Sequence, residues 1–219
     1  MRINKYIAEN TELSRRKADE AIKNGRVKIN NKTANLGDSV SINDELTIDG
    51  NIVKLKDKKV VTILLNKPVG YVCSKDGQGS PTVYDLIPQQ YKDLNIAGRL
   101  DKDSSGLVVM TNDGILLNEL THPSNNKEKI YEVEIDSELS AYEQSQLKNG
   151  VDIGDDRPSS FKEVENIGPK TYKVVLEEGR NRQIRRSYEA LGFKVTGLKR
   201  IKIGKYEIGK LKEKEITII

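Results

Sequence analysis

Apolar positions along the 219-residue chain repeat with two different periods, and the change of period marks the elements. From residue 14 the text reads SRRKADEAIKNG. Ala18, Ala21 and Ile22 fall on one face at helical spacing, Ser14 stands where an N-cap hydroxyl belongs, and Gly25 is placed to end the helix. The next residues, RVKIN, alternate, with Val27 and Ile29 on one side and Arg26 and Lys28 on the other, as in a half-buried strand. A short strand pair is expected over residues 40–42 and 45–48, turning at Asn43 and Asp44, and KLKDKK at 54–59 reads as linker text.

Beyond residue 60 the pattern becomes strand-rich. VVTILLNKPVG begins as a buried strand and stops at Pro68 and Gly70; GLVVMTNDG is a second strand closed by Asn112, Asp113 and Gly114. ILLNELT reads as a short helix. KIYEVEI alternates Tyr131, Val133 and Ile135 against Ile130, Glu132 and Glu134, and LSAYEQSQLKNG is a helix with a glycine stop. TYKVVLEEG is a strand, RNRQIRRSYEALG a helix, and FKVTGLKRIKIG returns to strand. Strands outnumber helices and do not alternate regularly with them. The fold class is therefore α+β, with a mixed, mostly antiparallel sheet, and not a doubly wound fold.

Charge becomes informative only when divided by region. The net +4 lies entirely in residues 1–60, which hold 13 Lys/Arg against 9 Asp/Glu, whereas residues 61–219 hold 24 of each. Within that neutral remainder, residues 180–205 carry nine basic side chains and one acidic one, Glu189. Two arginine-rich islands in a balanced background point to a polyanionic partner. The first, with Arg15, Arg16, Lys17, Arg26 and Lys28, occupies one helix–turn–strand unit. The single Cys73 excludes an internal disulfide framework, and with one histidine, His122, there is no His-cluster metal chemistry. No run of about 18 apolar residues exists, and the first ten residues lack the apolar core of a signal peptide; a cytoplasmic protein is expected. Phosphate-binding glycine loops, dinucleotide fingerprints and nucleophile elbows are absent from the sequence.

Two stretches remain for chemistry. In GRLDKDSSGLVVMTNDG, Asp101 sits between Arg99 and Lys102 where a loop enters a buried strand, with Asp103 as the competing carboxylate. In EGRNRQIRRSYEALG, a wheel of about 100° per residue puts Ile184, Tyr188 and Leu191 on the core face and Arg182 and Arg186 on the opposite side. Arg185 falls about 100° from the centre of that face, on its shoulder, where a partly buried guanidinium needs a carboxylate.

The N-terminal text, MRINKYIAEN…SRRKADEAIKNGRVKINNK…GDSV, resembles an S-four-type RNA-binding domain over about the first 50 residues. The remaining motifs (LNKPVGYVCS, PTVYDLIP, GRLDKDSSGLVVMTNDG, LTHPS…KEKIYEV, EGRNRQIRR and LKRIKIG) resemble the RsuA family of rRNA pseudouridine synthases along nearly the whole chain. The resemblance implies an RNA-binding domain at 1–56, a linker at 57–60 and a catalytic domain at 61–219. It also implies that Asp101 is the catalytic aspartate, that Tyr131 stacks on the target uracil and serves as base at carbon-5, and that Arg185 pairs with the aspartate. Arg99, Lys129, Arg180 and Gln183 fall in the same motifs and would shape the pocket or hold phosphates, as would Arg182 and Arg186 on the exposed helix face. Ser187 stands where the family often has methionine. The implied reaction is an isomerisation needing no cofactor or metal, on structured rRNA with the target uridine flipped out, by a monomeric enzyme. Whether Asp101 attacks the sugar or stabilises the separated base is left open, and the motifs are shared by the branches acting on small- and large-subunit rRNA. A non-catalytic rRNA-binding assembly factor would share the basic islands but need no Asp101, Tyr131 and Arg185. A methyltransferase would want a glycine-rich loop where the chain has NKPVG.

Overall fold

The computed structural model describes residues 1–41, 43–55 and 59–219. They form two compact units, Met1–Lys59 and Val60–Ile219. Part of the expected linker, residues 56–58, lies outside the described residues.

In the first unit, helices α1 (Ile3–Asn10) and α2 (Arg15–Lys23) pack beside strands β1 (Val27–Ile29), β2 (Lys32–Thr33), β3 (Leu46–Ile48) and β4 (Asn51–Ile52). The antiparallel sheet has the order β2-β1-β3-β4. Ile3, Ile7, Ala18, Ala21, Ile22, Val27 and Leu46 form its core. The Ser14 hydroxyl accepts the Lys17 N–H at 3.3 Å, capping α2 as its position predicts. Ser14→Ala is expected to destabilise the α2 start by about 1 kcal/mol, read as faster exchange of its first-turn amides in the full chain. Helix α1 has no side-chain N-cap and no acidic residue in its first turn, so it carries few of the marks by which a helix announces itself. The strand pair expected over residues 40–42 and 45–48 does not form as such. Ile42 is outside the described residues, Ser39 bridges to Arg2, and Leu46–Ile48 pairs with β1 and β4 instead. Asp44 does mark a turn, accepting the Ser41 N–H at 2.8 Å and its hydroxyl at 2.7 Å.

The second unit is built on a large mixed sheet. Its strands are β5 (Thr62–Lys67), β6 (Asn95–Ala97), β7 (Ser105–Thr111), β8 (Lys129–Ile135), β9 (Glu163–Gly168), β10 (Thr171–Leu176), β11 (Val195–Ile203), β12 (Tyr206–Glu207) and β13 (Ile216–Ile218). The order is β13-β5-β7-β11-β8-β10-β9, with β12 on β11 and β6 on β7; only β7 and β11 run parallel. The apolar runs Ile63–Leu65 of β5 and Leu107–Met110 of β7 have a structural cause: both faces of the sheet are covered. Ile63, Leu65, Val108 and Met110 enter one core with Val133, Tyr172, Ile184 and Tyr188, while Leu64, Leu107 and Val109 enter a second with Leu120 and Ile203. The first core takes in α5 (Gln183–Ala190) and the second takes in α3 (Gly114–Thr121). A further helix, α4 (Ala141–Asn149), starts on a capping box between Ser140 and Glu143 and ends at Gly150, whose φ is +119°. The architecture is α+β. Among the described residues no helix is long and apolar enough to cross a membrane.

Candidate active site

A cavity of about 540 Å³ opens where the loop before β7, the starts of β8 and α5, and the middle of β11 converge. Asp101, Arg99, Lys129, Tyr131, Arg180, Arg182 and Gln183 all line it. Residues more than 80 positions apart are thus brought to one site. Arg185 and Arg186 do not line it, although they belong to the same helix.

The loop carrying Asp101 is held from several sides. Lys102 O accepts the Gly70 N–H at 2.7 Å, tying it to the end of the KPVG turn. Leu100 N–H donates to Cys73 Sγ at 3.4 Å, and Ser104 N–H to Asp101 O at 3.1 Å. Lys67, fully buried, donates to Pro68 O at 3.0 Å and also to Ser104 O. Burial pushes the Lys67 ammonium pKa down, against the opposing pull of Cys73, Asp103 and Asp101.

Arginines from the α5 region complete the hold. Arg185 is 13% exposed, as a shoulder position should be, and it does meet a carboxylate. That carboxylate is Asp103, not Asp101: Arg185 Nε lies 3.2 Å from Asp103 Oδ2, Nη2 donates to Asp103 O at 2.7 Å, and Nη1 to Val195 O at 3.1 Å. Arg182 adds a two-pronged pair with Asp103 at 3.1 and 2.9 Å, and its Nη1 lies 3.9 Å from Asp101 Oδ2. The expected Arg185–Asp101 pair is therefore replaced by an Arg182–Asp103–Arg185 cluster, with Arg182 as the guanidinium nearest Asp101. The wheel could not place Arg182 because it is not in the helix; it is the N-cap, at φ +47°, a left-handed conformation rare for a side chain of its size. Burial works to raise the Asp103 pKa, but the Arg182 hydrogen bond and the two guanidinium charges outweigh it and hold the carboxyl below its usual range.

Several arginines expected to face RNA are engaged within the protein. Arg180 donates to Glu178 at 3.1 and 2.7 Å, to Asp155 at 3.3 Å, and to the carbonyls of Arg157 and Pro158 at 2.7 Å each. Arg186 binds Asp155 at 2.6 Å and the carbonyls of Asn181 and Ile153. Together they fasten residues 153–158 to the start of α5. Gln183, 4% exposed, accepts the Arg180 N–H at 3.1 Å and donates to Ser159 Oγ at 2.9 Å. Ser187 is buried and joins Ser159 Oγ at 2.9 Å, so a small polar group fits where an apolar one was in question. Arg99 remains exposed on the cavity wall. Lys129 is partly buried; desolvation, and secondarily the Arg200 charge, push its ammonium pKa down. Tyr131, 9% exposed, presents its ring from β8.

Sequence reasoning missed Lys67 and Arg200. Both are buried cations. Lys67 ends the apolar run ILLNK, and an ionisable residue closing such a run is a signal that could have found it; Arg200 sits among Lys199 and Lys202 in VTGLKRIKI, where the sequence shows only one more basic residue and burial alone sets it apart. His122 caps the short turn Pro123–Asn125 and stands on the cavity rim, exposed; Cys73 is buried, with its thiol pKa raised by burial. Among the described residues, no group of three or more His, Cys, Asp or Glu is arranged to hold a metal ion. In the first unit, Arg15, Arg16, Lys17 and Lys28 are exposed, while Arg26 is paired with Asp49, with Nε to Oδ1 at 2.8 Å.

A mixed sheet with a carboxylate, a tyrosine and several guanidinium groups around one cavity, in a chain that begins with a small basic unit, describes an RNA-acting enzyme. Comparison with known proteins gives the family. Residues 61–190 match the RNA pseudouridylate synthase model and residues 1–46 the S4 domain model. The chain belongs to the RNA pseudouridylate synthase family. It is 34% identical to ribosomal large subunit pseudouridine synthase B of Yersinia pestis, over 95% of this chain and 69% of that protein. It is 36% identical to the dual-specificity RNA pseudouridine synthase RluF of Escherichia coli K12, over 93% and 70%. A crystal structure of a pseudouridylate synthase superposes with a TM-score of 0.73 at 32% identity, covering 100% of this chain and 96% of that one.

Proposed function

We propose that this protein converts a uridine of ribosomal RNA to pseudouridine, with Asp101 as its catalytic aspartate. The single observation that carries the reading is the convergence of Asp101, Tyr131, Lys129 and Arg182 on one cavity in a chain of this family. The reaction breaks the bond from ribose C1′ to uracil N1, the electron pair leaving with the base. The ring turns, C5 bonds to C1′, the C5 proton is removed and N1 gains one, so nothing is added overall. Asp101 meets the electron-poor sugar carbon. Arg182 places a guanidinium 3.9 Å from the carboxylate, and the Asp103 cluster fixes the loop that aims it. Tyr131 stacks on the uracil and takes the C5 proton. The target uridine must leave its stack to enter, at a cost of a few kcal/mol. Arg99 and Lys129 line its path, Arg180 and Gln183 form part of the wall, and Arg180 and Arg186 fasten residues 153–158 to the start of α5. Arg185 acts on Asp101 through the loop rather than by direct pairing.

Residues 1–56 would anchor the enzyme, as a monomer, on structured rRNA through Arg15, Arg16, Lys17 and Lys28; Arg26, neutralised by Asp49, contributes less. The test is incubation of the full chain with protein-free rRNA and mapping of pseudouridine by carbodiimide-dependent primer extension. One new pseudouridine is expected, and its absence from both large- and small-subunit RNA sinks the reading. A chain lacking residues 1–56 should bind the same RNA more weakly, with a salt slope shallower by roughly 0.7–0.9 per lost phosphate contact. Unchanged affinity at physiological salt would count against the anchor.

A further inference from the structure

The least accounted-for charge in the second unit is Arg200. It lies in β11, opposite Tyr131 of β8 and Gly106 of β7. It is 1% exposed, yet it lines the same cavity as Asp101 and Tyr131. Nε donates to Leu107 O at 2.9 Å and Nη2 to Gly98 O at 2.7 Å. Nη1 makes no hydrogen bond to any described residue, and no carboxylate pairs with the guanidinium among them. Its charged neighbours include two other cations: it lowers the pKa of both Lys129 and Lys67. A buried guanidinium without a counter-ion at contact distance, next to two further cations, is costly to build. Two carbonyls could be held by neutral donors, so fastening the loop does not explain a full positive charge there.

The isomerisation supplies a reason. When C1′–N1 breaks, the base keeps the electron pair and carries a negative charge delocalised to its ring carbonyls until C5 rebonds to C1′. A fixed, buried cation lowers the energy of that anion and needs no reorganisation when it forms. We propose that Arg200 is the group that holds the negative charge of the detached uracil, through Nη1 to a ring carbonyl, while the base turns from N1 to C5. The inference rests on the isomerase reading above and deepens it: the site is a uracil-anion site with an arginine floor.

The test compares leaving groups. An rRNA fragment carrying the uridine modified by the wild-type chain is prepared with either uridine or 5-fluorouridine at that position. The fluorine stabilises the base anion, so a 5-fluorouracil leaving group depends less on an external cation. Single-turnover loss of the original nucleoside is measured for the full chain and for Arg200→Gln and Arg200→Lys. With uridine, Arg200→Gln should slow the step roughly 100-fold or more and Arg200→Lys less, with the affinity for the fragment unchanged. With 5-fluorouridine the loss should shrink to about tenfold. A merely structural arginine predicts equal losses on both substrates, and that result, or an undiminished rate in Arg200→Gln, overturns the proposal. If Arg200→Gln does not fold, the same two-substrate contrast in Arg200→Lys decides it. A wild-type chain inactive on uridine RNA would instead overturn the isomerase reading itself.

Discussion

Replacing Asp101 by Asn is expected to reduce pseudouridine formation on rRNA by about 10⁴-fold or more, while affinity for the same RNA stays within about threefold. The amide keeps the size and hydrogen-bonding reach of the carboxylate but not its charge, and it can neither attack an electron-poor sugar carbon nor stabilise one. The geometry explains why binding should survive. Asp101 is not what holds its own loop together; Asp103 is, through Arg182 at 2.9 Å and Arg185 at 3.2 Å, together with Lys67 on Ser104 O and Gly70 on Lys102 O. Asp103→Asn is the matched control. It removes a structural charge from the same loop and should lower turnover by a much smaller factor while loosening that loop. Near-normal turnover in Asp101→Asn, or a larger loss in Asp103→Asn, would reassign the catalytic carboxylate.

The division of labour between those two carboxylates is only half legible in the sequence. Helical periodicity places Arg185 on a shoulder and requires a carboxylate for it, and both features are present. Periodicity has no information on which of two aspartates, two residues apart in an irregular loop, would meet it. That choice depends on the turn closed by Ser104 N–H on Asp101 O, and on Arg182 leaving helical geometry at φ +47°. Strand alternation succeeds for β8, where Tyr131, Val133 and Ile135 are buried as a set. It fails for β11 because that strand pairs with β8 through two register shifts, one beside Gly197 and one just after Arg200. Those bulges turn a basic residue into the core where a regular period would alternate it outward. Strands β9, β12 and β13 leave no clear mark in the sequence: each lies at an edge or is only two or three residues long, and such strands carry little pattern. The basic islands are legible as charge but not as contacts. Arg180 and Arg186 are engaged with Asp155 and with backbone carbonyls that no local pattern connects to them.

The same close contact between β7 and β11 makes Gly106→Ala the substitution with the largest expected effect on stability. Gly106 sits at φ +104°, and a Cβ there would stand 2.2 Å from Arg200 O and 2.6 Å from Arg200 N. Those are backbone atoms of the neighbouring strand, so no side-chain rotation relieves the clash. The parallel pair Arg200–Gly106 must part, and with it the Arg200 bonds to Leu107 O and Gly98 O that bracket the Asp101 loop. Strain in a conformation that L residues avoid adds about 1–3 kcal/mol, and displacing the central strands brings the total to roughly 4–5 kcal/mol. Against a stability on the order of 5–15 kcal/mol, that is enough to make the second unit unfold at low denaturant or fail to accumulate. Gly70→Ala separates the two causes. Gly70 has a similar φ, +93°, but an alanine methyl there would meet nothing within 4 Å, so only the backbone strain applies and a loss of about 1–3 kcal/mol is expected. Urea unfolding of both variants, followed in the second unit, gives the comparison. Equal losses would mean that backbone strain alone is at work and that the sheet yields at β7 and β11; a clearly larger loss at Gly106 would place the cost in the contact with Arg200, and the soluble remainder should turn over slowly because the Arg200 bonds to Leu107 O and Gly98 O no longer hold the Asp101 loop.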